Sequence, residues 1–168
     1  FTFIIVGEVI KIIVVAVKDK ILFTARTEQK VITKLHIVCK DKKYQLIVER
    51  EPNPALPHVK SEMGVFLDNN ISVRILRENG AKLFEKVFTK RDFANYLTEE
   101  YLASSVLEGL VFDDVKTGNK KTITLVASVS YPMTDLYIPF VLVVSQDGKL
   151  SISKDEDMGE MTFLKEDE

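Results

Sequence analysis

The chain has 168 residues, of which 46% are hydrophobic and 29% charged, a globular balance that argues against disorder and leaves enough length to bury a core without disulfides or a structural metal. A formal net charge of -2 gives no electrostatic footprint for nucleic acid or an anionic membrane surface. The single cysteine, Cys39, excludes an internal disulfide and says nothing firm about compartment.

Residues 1–17 are the most apolar run, but they fall short of the ~20 residues of a membrane helix and carry Glu8 and Lys11 at their centre. Their Val and Ile content predicts one or two buried strands, with a hydrophobic leader core as the alternative. Residues 21–25 read as a short return strand and 31–39 as a clearer one. There Val31, Thr33, Leu35, Ile37 and Cys39 share one face, opposite Ile32, Lys34, His36 and Val38. Lys40 to Lys43 turns the chain into a further strand over 44–49. Residues 51–70 then bring Pro52, Pro54 and Pro57 and no regular period, which predicts a long connection. It is either a loop crossing one domain or a boundary between two small ones. One domain over 1–154 is favoured, because the strands before residue 50 include no helix to cover them.

Ile71, Val73 and Ile75 alternate with Ser72 and Arg74, and Asn79-Gly80 predicts a tight hairpin into 82–88. A two-residue turn would pair Arg74 with Glu85. A three-residue loop with Gly80 left-handed would pair Ile75 with Leu83, and the apolar match favours this second register. Thr89 to Asp92 is a partial capping box, and Phe93, Leu97 and Tyr101 recur at helical spacing. A helical segment near 90–107 follows, with a break near Thr98 and Gly109 as its stop.

Residues 110–154 carry the densest strand signals: four apolar runs separated by Gly, Asn, Asp and Pro, the pattern of an antiparallel meander. Ile123, Leu125, Ala127, Val129 and Tyr131 form one face of the second run; Thr122, Thr124, Ser128 and Ser130 form most of the other. Pro139 belongs at a sheet edge or a strand's beginning. A three-residue loop with Gly148 left-handed pairs Val144 with Leu150 and Leu142 with Ile152. The predicted core is therefore Ile123, Leu125, Ala127, Val129, Leu142, Val144, Leu150 and Ile152. Residues 155–168, with seven acidic side chains against one lysine, read as a mobile tail.

No catalytic, cofactor or metal constellation stands out. His36 and His58 lack metal-ligand spacing, and Cys39 sits on an apolar strand face, where a buried thiol outweighs a nucleophile. Asp113 and Asp114 are adjacent, so on a strand they point to opposite faces, and Glu99 with Glu100 suits a helix start. Asp155, Asp157 and Glu160 lack the spacing of a calcium loop. The basic excess over residues 18–43 reads as a solvated sheet face whose lysines blunt an edge. The surface chosen for binding is the loop after the second meander strand, with Tyr131, Pro132, Asp135, Tyr137 and Pro139, on its aromatic and proline content.

The succession of Ile71-Ser72-Val73-Arg74-Ile75, Phe93-Ala94-Asn95-Tyr96-Leu97, Leu107-Glu108-Gly109-Leu110-Val111-Phe112-Asp113, Ser130-Tyr131-Pro132 and Tyr137-Ile138-Pro139 resembles an uncharacterised family, a domain of unknown function. Its members look like cell-envelope lipoproteins of Gram-negative gut anaerobes. The resemblance covers roughly 44–158 and carries no catalytic residues. It implies an exported protein of the cell envelope or periplasm, reaching a membrane only through an N-terminal lipid anchor.

The expected fold is mainly β, with one helical segment on an antiparallel sandwich or partly closed barrel of about eight to ten strands. The expected function is a non-enzymatic envelope module that binds a protein, glycan or small ligand and uses no cofactor. The alternatives are an apolar-ligand carrier with a barrel cavity and a hydrolase whose site converges only in the fold.

Overall fold

Alternating stretches become strands wherever one face can be buried, and two such sheets bury theirs against each other. A computed structural model describes residues 30–156 in full and, before them, the backbone of three strands: β1 (Thr2–Ile5), β2 (Glu8–Val17) and β3 (Lys20–Thr27). The front sheet has the order β4-β5-β8-β9, from β4 (Val31–Cys39), β5 (Lys42–Pro52), β8 (Asn69–Arg77) and β9 (Lys82–Phe88). The back sheet is the predicted meander, β10 (Val106–Phe112), β11 (Ile123–Ser130), β12 (Tyr137–Val144) and β13 (Leu150–Lys154), in that spatial order. A third sheet joins β1, β2 and β3 to a small hairpin, β6 (Val59–Ser61) and β7 (Gly64–Phe66). Among the described residues all pairings are antiparallel except β3 with β7, which meet in parallel at Thr24 and Val65.

One buried cluster joins Leu46, Ile71, Val73, Ile75 and Phe88 of the front sheet to Leu107, Leu125, Ala127, Val129, Phe140 and Leu142 of the back sheet. The sheets form a sandwich and do not close into a barrel. Among the described residues there are thirteen strands, against the eight to ten expected. Part of the surplus is β6 and β7, which lie inside the proline-rich stretch that composition alone marks as a loop. The predicted inward set is present throughout; Leu150 and Ile152 are partly buried because β13 is an edge strand. Burial of residues 1–17 and the character of 157–168 lie outside the described side chains.

Registers test the local reasoning. Val144 pairs with Leu150 and Leu142 with Ile152 as expected, with Gly148 at φ 81. The favoured Ile75–Leu83 pairing does not occur: Ile75 faces Phe84 and Arg74 faces Glu85, while nearer the turn Leu76 faces Lys82. The register shift falls beside Leu83. It places Phe84, Lys86 and Phe88 opposite Ile75, Val73 and Ile71, so both phenylalanines reach the core face.

The helical segment is broken where Thr98 suggested. A 3₁₀ turn covers Lys90–Tyr96, Leu97 is extended, and α1 (Glu99–Ser104) follows, its cap Thr98 accepting from the Tyr101 N–H at 3.1 Å. The chain then enters β10 at Val106, so Gly109 is no stop. It lies inside the strand, beside a register shift, with Ser128 Oγ 3.5 Å from where a β-carbon would stand. A short helix, α2 (Asp114–Thr117), is capped by Asp113.

Three burial expectations need correction. Val31 and Leu35 of the core-facing set on β4 are 46% and 40% exposed, since β4 is an edge strand and only Ile37 and Cys39 reach the shared core. Thr124 and Ser130, assigned to the wet face, are buried; Thr124 N–H donates to Thr117 Oγ1 at 2.9 Å, under the α2 turn. Asp155, assigned to the tail, is buried. Its N–H donates to the Pro139 carbonyl at 3.0 Å and its carboxylate pairs with Lys116 at 2.7 Å.

Candidate functional site

The β11–β12 connection is short, so its backbone must satisfy itself. Tyr131 N–H donates across the loop to Leu136 O at 3.0 Å, and Thr134 Oγ1 donates to Tyr131 O at 2.9 Å while accepting from Leu136 N–H at 3.2 Å. Met133 sits at φ 63, a left-handed conformation unusual for a long side chain. Beneath the loop the Tyr131 ring lies 4.5 Å from the Tyr101 ring, centroid to centroid, and the Tyr101 hydroxyl donates to Val129 O at 2.8 Å. The five residues chosen from sequence therefore divide. Pro132 and Pro139 are buried supports, Tyr131 is half-buried, and Asp135 and Tyr137 face solvent. The apolar part of the surface was missed: Met133 is 58% and Leu136 48% exposed, beside Tyr137 at 40%. Two apolar residues in a polar turn were the available signal.

Against this loop lies a cleft of about 60 Å³ lined by Phe66, Leu67, Asn69, Val106, Glu108, Pro132 and Met133. Its walls are tied together by a buried ionic centre. Asp68 Oδ1 accepts from the N–H groups of Leu107 (2.9 Å) and Asn69 (2.8 Å), and its Oδ2 stands 3.4 Å from Lys90 Nζ. Lys90 also donates to the carbonyls of Ser105 (2.7 Å) and Leu102. Burial pushes the Lys90 ammonium below its ordinary range, and Asp68 partly restores it.

A larger cleft, about 350 Å³, opens where three hairpin turns meet: Asp41, Lys42, Lys43 and Tyr44 from the β4–β5 hairpin, Arg77, Glu78 and Asn79 from β8–β9, and Gln146 from β12–β13. A third, about 230 Å³, lies on the outer face of β5, β8 and β9, around Glu49, Arg74 and Glu85.

Over residues 14–152 the chain matches the family described as a domain of unknown function, DUF4738. The chain belongs to that family. The match reaches back to residue 14, well before the start at 44 that the sequence resemblance gave, and so takes in part of β2 and all of β3. No curated protein matches this chain.

In this DUF4738 domain the residues with chemical potential are dispersed. His36 and His58 are both exposed, and neither lines the three clefts. Cys39 is buried, its thiol donating to Lys120 O at 3.2 Å, and burial pushes it up, so it stays protonated. Asp113 caps α2 by accepting from Lys116 N–H at 2.8 Å, and Glu99 and Glu100 occupy the first turn of α1. Among the described residues no group of three or more His, Cys, Asp and Glu could hold a metal ion. Among them, too, no helix is long and apolar enough to cross a membrane.

Tyr101 provides a test of the loop's support. Its phenol is held above the ordinary value of 10.0, first by burial and then by Tyr131 and Glu108. The unfolded chain therefore releases this proton first, and the stability it contributes is complete below pH 10 and declines as pH rises further. Tyr101→Phe is expected to cost about 1 kcal/mol at neutral pH through the lost hydrogen bond. Its deficit should shrink above pH 10, measured by urea unfolding at several pH values. A deficit independent of pH would show that the phenol ionises as freely folded as unfolded.

Proposed function

We propose that this domain is a non-enzymatic binding module of the cell envelope or periplasm, lipid-anchored on its N-terminal side, and that it grips a protein partner through the β11–β12 loop. The observation that carries the reading is the exposed trio Met133, Leu136 and Tyr137 on a self-bonded loop beside the 60 Å³ cleft. That volume is far below the ~300 Å³ of a small-molecule site, and it suits one apolar side chain of a partner. An anchor residue in a small pocket ringed by apolar contacts is how protein interfaces concentrate their affinity. An apolar-ligand carrier draws less support, because the predicted inward residues pack against each other between the sheets. A hydrolase draws less because the histidines stand apart from the clefts. The envelope location rests on the sequence resemblance.

The test is a photo-crosslinking amino acid at Tyr137 of the full-length gene product in its own cells. A discrete adduct is expected, lost on Met133→Asp and absent when the probe replaces Lys149, whose side chain is 84% exposed on another turn. Equal adducts from both positions would overturn the loop assignment. The protein is expected in the envelope fraction, and recovery in the cytoplasm alone would overturn the location.

A further inference from the structure

We infer that the cleft between the three hairpin turns is a second site, for a small ligand with one carboxylate and several hydroxyls, the chemistry of an acidic sugar. At about 350 Å³ it has the size of a small-molecule pocket, unlike the cleft beside the loop. It is built on tight turns: Lys40 and Asp41 have φ 41 and 66, and Gly80 and Gly148 have φ 84 and 81. A β-carbon on Gly148 would lie 2.5 Å from Leu83 O, so the β12–β13 turn is seated directly on β9.

The lining points to a ligand. Tyr44 is only 5% exposed, lines the cleft, and its hydroxyl has no hydrogen-bond partner among the described residues. Its oxygen is not one of the fully enclosed polar atoms that lack a partner, so solvent reaches it from the cleft and its donor is available to a bound group. Arg77 sits opposite Tyr44 in the ladder, close enough to act on its phenol electrostatically. Its guanidinium makes one long bond, 3.4 Å to Gln146 O, and meets no carboxylate within ion-pair distance among the described residues. A planar fork with unused donors beside an unpaired phenol fits a carboxylate, which takes two N–H bonds and a third from an O–H. Lys42 and Lys43 add two cations and Asp41 and Glu78 two anions, so with Arg77 the cleft carries a net +1. That matches one carboxylate rather than a phosphate dianion. The rim carboxylates and the Asn79 amide are left to hold hydroxyls.

The experiment is an amide-resolved NMR titration of the whole chain with D-galacturonate as the probe, alongside D-galactose and inorganic phosphate. Saturable shifts at Tyr44, Arg77 and Gln146 are expected, with galactose and phosphate weaker. Arg77→Gln is expected to weaken binding about tenfold or more, and the isosteric Tyr44→Phe several-fold, both with melting close to wild type. The site is overturned by an absence of saturable shifts, or by unchanged affinity in Arg77→Gln or Tyr44→Phe. Equal binding of galactose, or tighter binding of phosphate, overturns the carboxylate assignment. The loop and its partner are read by crosslinking at Tyr137, so either result can fail without the other.

Discussion

Leu125→Asp is expected to leave the chain unfolded. Leu125 is fully buried in the middle of β11, flanked in the sheet by Phe112 on β10 and Leu142 on β12 and inside the cluster both sheets share. Removing its side chain alone would cost about 2–5 kcal/mol, and a carboxylate there has no partner, which adds several more. Against a domain stability of about 5–15 kcal/mol that sum removes the folded state. Circular dichroism and thermal melting read the result. Val126→Asp is the control: Val126 is half-buried on the opposite face of β11, opposite Val111 and Val141, and should melt lower but cooperatively. A Leu125→Asp protein that melts like wild type would show that the face assignment is reversed.

Lys90→Met should cost about 3–5 kcal/mol, the range for breaking one side of a buried ion pair. The ammonium joins Asp68, just before β8, to the carbonyls of Leu102 and Ser105 around the end of α1. Without it the Asp68 carboxylate stays buried and keeps only its bonds from the Leu107 and Asn69 N–H groups, while two carbonyls lose their donor. Asp68→Asn in the Lys90→Met background removes the stranded charge and should recover part of the loss, which a double-mutant cycle by urea unfolding would measure. A Lys90→Met midpoint equal to wild type would show that the two backbone donors satisfy Asp68 unaided.

How much of this was legible in the sequence depended on how local each cause was. The β12–β13 register could be read because Gly148 marks the turn and the period of two leaves one pairing that gathers Val144, Leu142, Leu150 and Ile152 on one face. The β8–β9 register could not, because its shift beside Leu83 serves Phe84 and Phe88, whose partners are on the other sheet. Gly109 reads as a helix stop for a similar reason: nothing near it in sequence reveals Ser128 on the adjoining strand. In the loop the aromatics and prolines drew attention to the segment, but burial turned the prolines into supports and left Met133 and Leu136 outside.

The clefts were out of reach altogether. Asp68 lies in a stretch that composition marks as a connection, and Lys90 in a helix start, so neither carries a local signal of the other. Tyr44, Arg77 and Gln146 come from three hairpins that meet only once the two sheets stack. The sequence by itself determined the strands of the meander, the break at Thr98, the core set on β11 and β12, and the kinship with a domain of unknown function, because periodicity, turn residues and caps act within a few positions. Only the tertiary structure decided the sheet order, the buried Asp68–Lys90 pair and both clefts, because burial and charge pairing are properties of surfaces that distant segments make together.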